Sequence, residues 1–213
     1  TRYWRDWSSD VCSSDLDCDN AVAFACDSCG GLDVLINNAA IQPRDSYLPQ
    51  HEYSTELWDR LVAVNLTGYA QMAGSALKVM VEQGSGVVCN ICSAQGHRTA
   101  RQVAAYGPIK AANLLQARQW GVEYARRGIR CVSISPGAVM TPMIRATLAE
   151  QGGAAALANR TPLGRIGNPE EIAAATLWMC SPAASFVTAT DLLVDGGIDA
   201  LAAFADPWPM PAE

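Results

Sequence analysis

Four short apolar runs, each followed by a longer polar or helical stretch, constrain this chain more than any other feature. They are LDVLIN (residues 32–37), GVVCNICS (86–93), IRCVSIS (129–135) and DLLVDGG (191–197). Each has the length of a buried strand. Between them lie helical patterns. Residues 54–65 carry Leu57, Leu61, Val62 and Val64, residues 66–82 continue with Ala, Met and Leu, and residues 104–127 close at Gly128. Strands alternating with helices mean βαβ units, and βαβ units mean a parallel sheet covered by helices. Residues 21–29 read as the end of an earlier helix, stopped by Gly30 and Gly31. Residues 38–53 are polar and hold Pro43 and Pro49, so they form a loop. Residues 136–165 read as a loop with irregular helix. A last helix starts with Asn168 at N-cap, Pro169 at the first helical position and Glu171 two residues later, and ends at Ser181–Pro182. The expected architecture is α/β: three layers, helix–sheet–helix, around a parallel sheet of about four strands.

Composition excludes several functions. A net charge of −6 argues against a nucleic-acid or anionic-membrane partner, since both require clustered Lys and Arg. No apolar run approaches the ~20 residues of a membrane-spanning helix. Eight cysteines in 213 residues are too few for a disulfide scaffold, so a reducing cytoplasm is expected. The run RDWSSDVCSSDL (residues 5–16) has no helical or strand-like apolar periodicity and resembles a translated sequencing adapter. It is expected to be an artefact and is set apart from the fold. The expected boundaries are residues 1–16 as artefact or tail, 17–200 as the C-terminal part of one domain, and 201–213 as a loose tail.

Chemistry concentrates in three residues. Tyr106 and Lys110 are four apart near a helix start, which places them on one face about a turn apart. Ser93 ends the preceding strand, at the sheet edge where open parallel sheets bind ligands. A free tyrosine titrates near 10 and is a poor base at neutral pH. Lowering that by ~3 units needs ~4 kcal/mol. An ammonium ~4 Å away at an effective dielectric of ~20 supplies about that much. The trio is therefore expected to exchange a proton with a carbonyl or alcohol oxygen, with Ser93 holding that oxygen.

The ordered series NNAA (residues 37–40), VNLTG around Asn65, NICSAQG around Ser93, Tyr106-x-x-x-Lys110 and PGAVMT (residues 136–141) resembles the classical short-chain dehydrogenase/reductase family over residues 33–197. The resemblance implies a Rossmann-like sheet and an NAD(P)-dependent oxidoreductase. Such an enzyme passes hydride between nicotinamide and a carbonyl or secondary alcohol. It further implies Tyr106 as general acid/base, Lys110 lowering its pKa and binding the nicotinamide ribose, Ser93 positioning substrate, and Asn65 anchoring a water in a proton relay. Asn37, Ala39 and Ala40 would border the cofactor. Pro136, Gly137, Val139 and Thr141 would contact its nicotinamide end. No metal is implied. The partners implied are a small alcohol or ketone substrate and, at full length, further copies in a dimer or tetramer. The multi-sided apolarity of residues 66–82 and 104–127 fits such an interface, or else a cover formed by the loop after Pro136.

Departures from the family pattern set further expectations. Ala40 stands where the family has Gly, and Cys92 where Ser is common. Pro108, tolerated only in a first turn, places the helix start no earlier than Ala104. The glycine-rich turn that binds the cofactor pyrophosphate has no match here, nor does the residue that selects NAD over NADP. Without the first strands, residues 33–37 would form an exposed apolar edge, so the chain alone is expected to fold poorly, to retain no cofactor and to be inactive. Two other functions are weighed: a silent binding or assembly subunit, and a hydrolase built on Ser93, His97 and Lys110, for which no carboxylate obviously orients His97. Cys26-x-x-Cys29 and Cys89-x-x-Cys92 read as buried thiols rather than a zinc site, because residues three apart on a strand face opposite ways. Trp120, Tyr124 and Trp178 read as packing. Specificity is expected in residues 141–165, with Gly152–Gly153 as a flexible point.

Overall fold

The computed structural model describes residues 15–149 and 152–201. Residues 5–14 of the foreign-looking run, and all but Leu201 of the expected tail, lie outside the described residues. Asp15 and Leu16 open the first helix, α1 (Asp15–Cys29), which stops at left-handed Gly30 (φ 82°). Strand β1 (Val34–Asn37) follows. A loop with two single 3-10 turns leads to α2 (Thr55–Val62), started by the Ser54 hydroxyl accepting from the Leu57 N–H. A five-residue π-helical turn, Ala63–Thr67, joins α2 to α3 (Gly68–Gln83). Strand β2 (Gly86–Ile91), helix α4 (Tyr106–Tyr124) and strand β3 (Ile129–Pro136) come next. The short helices α5 (Pro142–Thr147) and α6 (Gly153–Asn159) occupy the expected irregular stretch, and α7 (Pro169–Cys180) and β4 (Asp191–Val194) complete the chain.

The four strands are parallel and lie in chain order, β1-β2-β3-β4. Alternation along β2 and β3 sends side chains to two separate cores. Val88, Ile129 and Cys131 pack with Ala73, Ala76, Leu77 and Met80 of α3 and with α1 and α4. Val87, Cys89, Val132 and Ile134 pack on the other face against Met179 and Ile172 of α7. The chain is thus the expected three-layer, Rossmann-like α/β fold. Gly128 closes the connection from α4 to β3 in a left-handed conformation (φ 77°), where a Cβ would also strike the Gly84 carbonyl.

Several boundaries shift. Strand β2 stops at Ile91, so Ser93 lies two residues beyond it rather than at its end. Pro108 is the third residue of α4, consistent with its first-turn requirement. At the start of α7 the Glu171 carboxylate accepts from the Asn168 backbone N–H at 2.8 Å, while the Glu171 N–H bonds the Asn168 backbone carbonyl. Asn168 and Glu171 thus form the capping box expected at this start. Trp120 and Tyr124 pack on the α3 core, whereas Trp178 is 46% exposed. Cys89 and Cys92 are buried, but Cys29 is exposed. Among the described residues no helix is long and apolar enough to cross a membrane, and no three ligating side chains cluster.

Candidate active site

The carboxyl ends of β1, β2 and β3 bring most of the singled-out residues to one edge of the sheet. Ser93 N-caps a short 3-10 turn, where its Oγ accepts from the Gln95 N–H at 3.1 Å. Its hydroxyl acts on the Tyr106 phenol, opposing the upward push that burial gives that group. Tyr106 is the first residue of α4 and Lys110 follows one turn later, so the helix itself sets their approach. The Lys110 ammonium lies 5.7 Å from the Tyr106 ring centroid. Lys110 is 1% exposed, and Nζ donates to the Ile91 carbonyl at 2.8 Å and to the Tyr69 hydroxyl at 3.2 Å. The structure therefore joins Ser93, Tyr106 and Lys110 as the spacing implied.

The electrostatics differ from the expectation. Burial pushes the Tyr106 phenol up to about 12, with the Ser93 hydroxyl opposing it and Tyr47 and Cys92 adding to it. Burial pulls the Lys110 ammonium down to about 8, partly offset by Cys92. The expected lowering of Tyr106 by Lys110 is corrected by these directions. Desolvation is the largest cause of both shifts, and two of the ammonium's three N–H groups are committed to Ile91 and Tyr69.

Asn65 sits in the π-helical turn, fully buried. Its side-chain amide is engaged twice with Ile41, accepting from the N–H and donating to the carbonyl, each at 2.8 Å. Its own carbonyl accepts from the Asn113 amide at 2.8 Å. Asn113 in turn accepts from Asn90 through its backbone carbonyl at 3.1 Å, and the Asn90 side chain accepts from the Asn37 amide at 3.0 Å. This chain of four amides ties the π-helical turn, α4, β1 and β2 together beneath the site. The side chain of Asn65 thus braces the loop after β1.

The residues expected around a cofactor occupy two loops. Asn37 ends β1, and Ala39 and Ala40 follow it. Pro136 ends β3; a Cβ on Gly137 would come within 2.7 Å of the Asp195 backbone, so this glycine permits close packing there. Val139 is buried and bridges to Gly167, and Thr141 N-caps α5 by accepting from the Ile144 N–H at 3.4 Å. The donor set suits the nicotinamide–ribose half of a dinucleotide: a buried ammonium with an N–H to give, beside a phenol and two strand-end loops. No glycine-rich turn among the described residues joins a strand to a helix start, so the pyrophosphate half has no cradle there.

Three residues escaped the sequence reading: Tyr69, Asn90 and Asn113. Asn90 was visible as an amide inside an otherwise apolar strand run. Tyr69 gave no signal, since a tyrosine in an apolar helix reads as packing. His97 is a correction of another kind, because Asp191 does orient it. His97 Nε2 lies 2.8 Å from Asp191 Oδ2 and 3.4 Å from Ser135 Oγ, and Asp191 Oδ1 accepts from Ser133 at 2.6 Å. Both His97 contacts use one ring nitrogen, whereas a nucleophile–base–carboxylate relay needs both. A hollow of about 520 Å³ opens beside Thr161, Leu163, Arg165 and Val194, at the end of the stretch expected to set specificity. Ser93, Tyr106 and Lys110 do not line it, so we place the reacting groups outside it.

Comparison with known proteins agrees with this arrangement. A family model described as enoyl-(acyl carrier protein) reductase matches residues 7–199. An uncharacterized oxidoreductase of Bacillus subtilis is 35% identical over 189 residues, covering 86% of this chain and 66% of the relative. The cis-4-hydroxycyclohexanecarboxylate dehydrogenase of Sinomonas cyclohexanicum is 38% identical over 173 residues, 81% of this chain and 68% of that one. The chain therefore spans about two thirds of the length of these relatives. Among solved structures, a gluconate 5-dehydrogenase of Burkholderia cenocepacia in complex with NADP and tartrate superposes with a TM-score of 0.84 at 30% identity, over 91% of this chain and 74% of that one.

Proposed function

The chain belongs to the short-chain dehydrogenase/reductase family, and on that premise we propose that it carries the proton-transfer site of an NAD(P)-dependent oxidoreductase acting on a carbonyl or secondary alcohol. The observation that carries this reading is the buried Lys110 ammonium 5.7 Å from the Tyr106 ring, one helical turn along α4, with Ser93 at the carboxyl end of β2 acting on the same phenol. Bound nicotinamide would supply or accept the hydride at the substrate carbon. Lys110 and Tyr106, with the loops holding Asn37, Ala39, Ala40, Pro136, Gly137, Val139 and Thr141, would hold its ribose end. Tyr106 remains protonated at neutral pH because burial holds it near 12. It therefore acts as an acid, giving its proton to the carbonyl oxygen during reduction; in the oxidative direction only its phenolate form, favoured as pH rises, can take the alcohol's proton. Ser93 donates to the same oxygen and fixes its position. Asn65 acts through structure, holding the loop after β1 and the carbonyl end of its own turn.

Two buried, unpartnered polar atoms support a polar substrate: Oε1 of Gln95, on the 3-10 turn that Ser93 caps, and Nε2 of Gln42, on the loop after β1. An acceptor and a donor left unpaired are costly until a ligand satisfies them. We further propose a cytoplasmic enzyme that assembles as a dimer or tetramer through α3 and α4; on α4, Leu115 and Val122 are 65% and 73% exposed.

The test uses reduced nicotinamide mononucleotide, which needs only the ribose half of a cofactor site, alongside millimolar NADH and NADPH. A panel of ketones and keto-sugars is followed at the reduced-nicotinamide absorbance band. The chain alone is expected to turn over slowly at most, and Tyr106→Phe should lower whatever rate reduced nicotinamide mononucleotide supports by at least about 100-fold, the scale of one proton-transfer group. Unchanged turnover in Tyr106→Phe would remove the assignment. Ester hydrolysis without nicotinamide would favour the hydrolase reading instead.

A further inference from the structure

Tyr69 takes no part in the proton transfer proposed above, yet its hydroxyl is built into the site. It is 2% exposed and ranks among the largest fully buried side chains. It follows the π-helical turn that carries Asn65 by two residues, at the start of α3. The π turn sets the face that the next residues present, and here it brings a phenol to the carboxyl end of β2. The hydroxyl lies 3.1 Å from the Ile91 carbonyl, to which it donates. The same oxygen accepts from Lys110 Nζ at 3.2 Å, and the ammonium stands 4.9 Å from the ring centroid. Lys110 also donates to the Ile91 carbonyl at 2.8 Å. The three groups form a closed triangle of ammonium, phenol and carbonyl.

The donor inventory gives this triangle a meaning. A phenol has one hydrogen, and here Ile91 takes it, so the phenol meets the ammonium as an acceptor only. An ammonium has three hydrogens, and two are fixed by Ile91 and Tyr69. One remains for the Tyr106 side of the site. The titratable groups facing Lys110 are Tyr69 from α3, Tyr106 from its own helix and Cys92 beyond β2, and none is a carboxylate.

We propose that Tyr69 is a positioning residue for Lys110: its buried hydroxyl, anchored on the Ile91 carbonyl, fixes the ammonium and directs its one remaining N–H toward the reacting groups. An apolar residue would fill the same space but would leave the cation one acceptor short in a low-dielectric interior. The inference rests on the reading of Lys110 as part of the reacting site.

The sequence makes the test clean, because Lys78 and Lys110 are the only two lysines. Lys78 is exposed and paired with Asp19, so it serves as an internal reference. The side-chain nitrogens of ¹⁵N-lysine-labelled full chain are followed by NMR against pH, without cofactor, in the wild type and in Tyr69→Phe, with Lys78→Arg assigning the signals. Loss of the acceptor should lower the Lys110 midpoint by about one pH unit and leave Lys78 where it was. An unmoved Lys110 midpoint overturns the positioning role, whatever the turnover. A moved midpoint supports the positioning role whether or not the chain shows nicotinamide-dependent turnover. If Tyr69→Phe does not fold, the wild type decides: contacts in nuclear Overhauser spectra between the Lys110 ammonium protons and the Tyr69 ring support the proposal, and their absence overturns it.

Discussion

At the scale of the residue, burial dominates the site. Lys110 holds a charge in the interior with two hydrogen bonds and no carboxylate, and its ammonium is pulled from 10.5 to about 8. The sign of the consequence follows from linkage. Between about 8 and 10.5 the unfolded chain keeps a proton that the folded chain has released, so stability rises with pH across that window. Below about 8 both states are charged, and the buried charge costs the fold about 3 kcal/mol. Lys110→Met should therefore remove turnover while stabilising the chain at pH 7 by about 1–3 kcal/mol, and should flatten the rise above pH 8. Urea unfolding at pH 7 and pH 9.5 measures both effects. A variant less stable than the wild type at pH 7 would mean that the two hydrogen bonds outweigh the desolvation of the charge. Ser93, Tyr106 and Lys110 were legible because helical spacing fixes the latter two and a strand end supplies the first. Tyr69 and Asn113 were not, because only the approach of α3, α4 and β2 decides whether a buried polar group meets a partner.

At the scale of the element, starts, stops and the capping box of α7 were legible. Gly30 and Gly128 end their segments in left-handed conformations, and Pro108 and Pro169 lie in first turns. The π-helical turn Ala63–Thr67 was invisible, since residues 54–82 read as two ordinary helical patterns and the extra residue per turn leaves no mark in composition. At the start of α7, Glu171 caps Asn168 and makes a two-pronged contact with Arg165 at 2.6 and 2.7 Å. These bonds, the Arg165 contact first, hold the Glu171 carboxyl down at about 2. A depressed carboxyl stabilises the fold above its ordinary value of 4.5, and that contribution disappears as pH falls through about 2. Glu171→Ala should lower the melting temperature by about 2–4 °C at pH 7 and by little at pH 2, which thermal melts monitored by circular dichroism would show. An equal loss at both pH values would mean that the side chain acts by packing alone.

At the scale of the whole molecule, β1 closes one side of the sheet among the described strands, and Ile36 on it is 46% exposed. Such an edge offers unpaired backbone groups to another chain, and an inward or outward charge is the usual protection. Ile36→Lys should lower the aggregated fraction seen by light scattering without changing the urea midpoint by more than about 0.5 kcal/mol equivalent. Unchanged aggregation would place the sticky surface elsewhere, with Leu177 and Phe186, 72% and 104% exposed, as the next candidates. The parallel three-layer plan and the meeting of Ser93, Tyr106 and Lys110 at one edge were determined by the sequence itself. Period-2 and period-3.6 apolar patterns and a four-residue spacing are local properties that hold wherever the segments pack. The direction of the two pKa shifts, the pairing of His97 with Asp191 across 94 residues and the phenol–ammonium–carbonyl triangle were decided by tertiary structure alone. Each depends on how much water packing removes and on which distant atoms come within about 3 Å, quantities that no stretch of sequence contains.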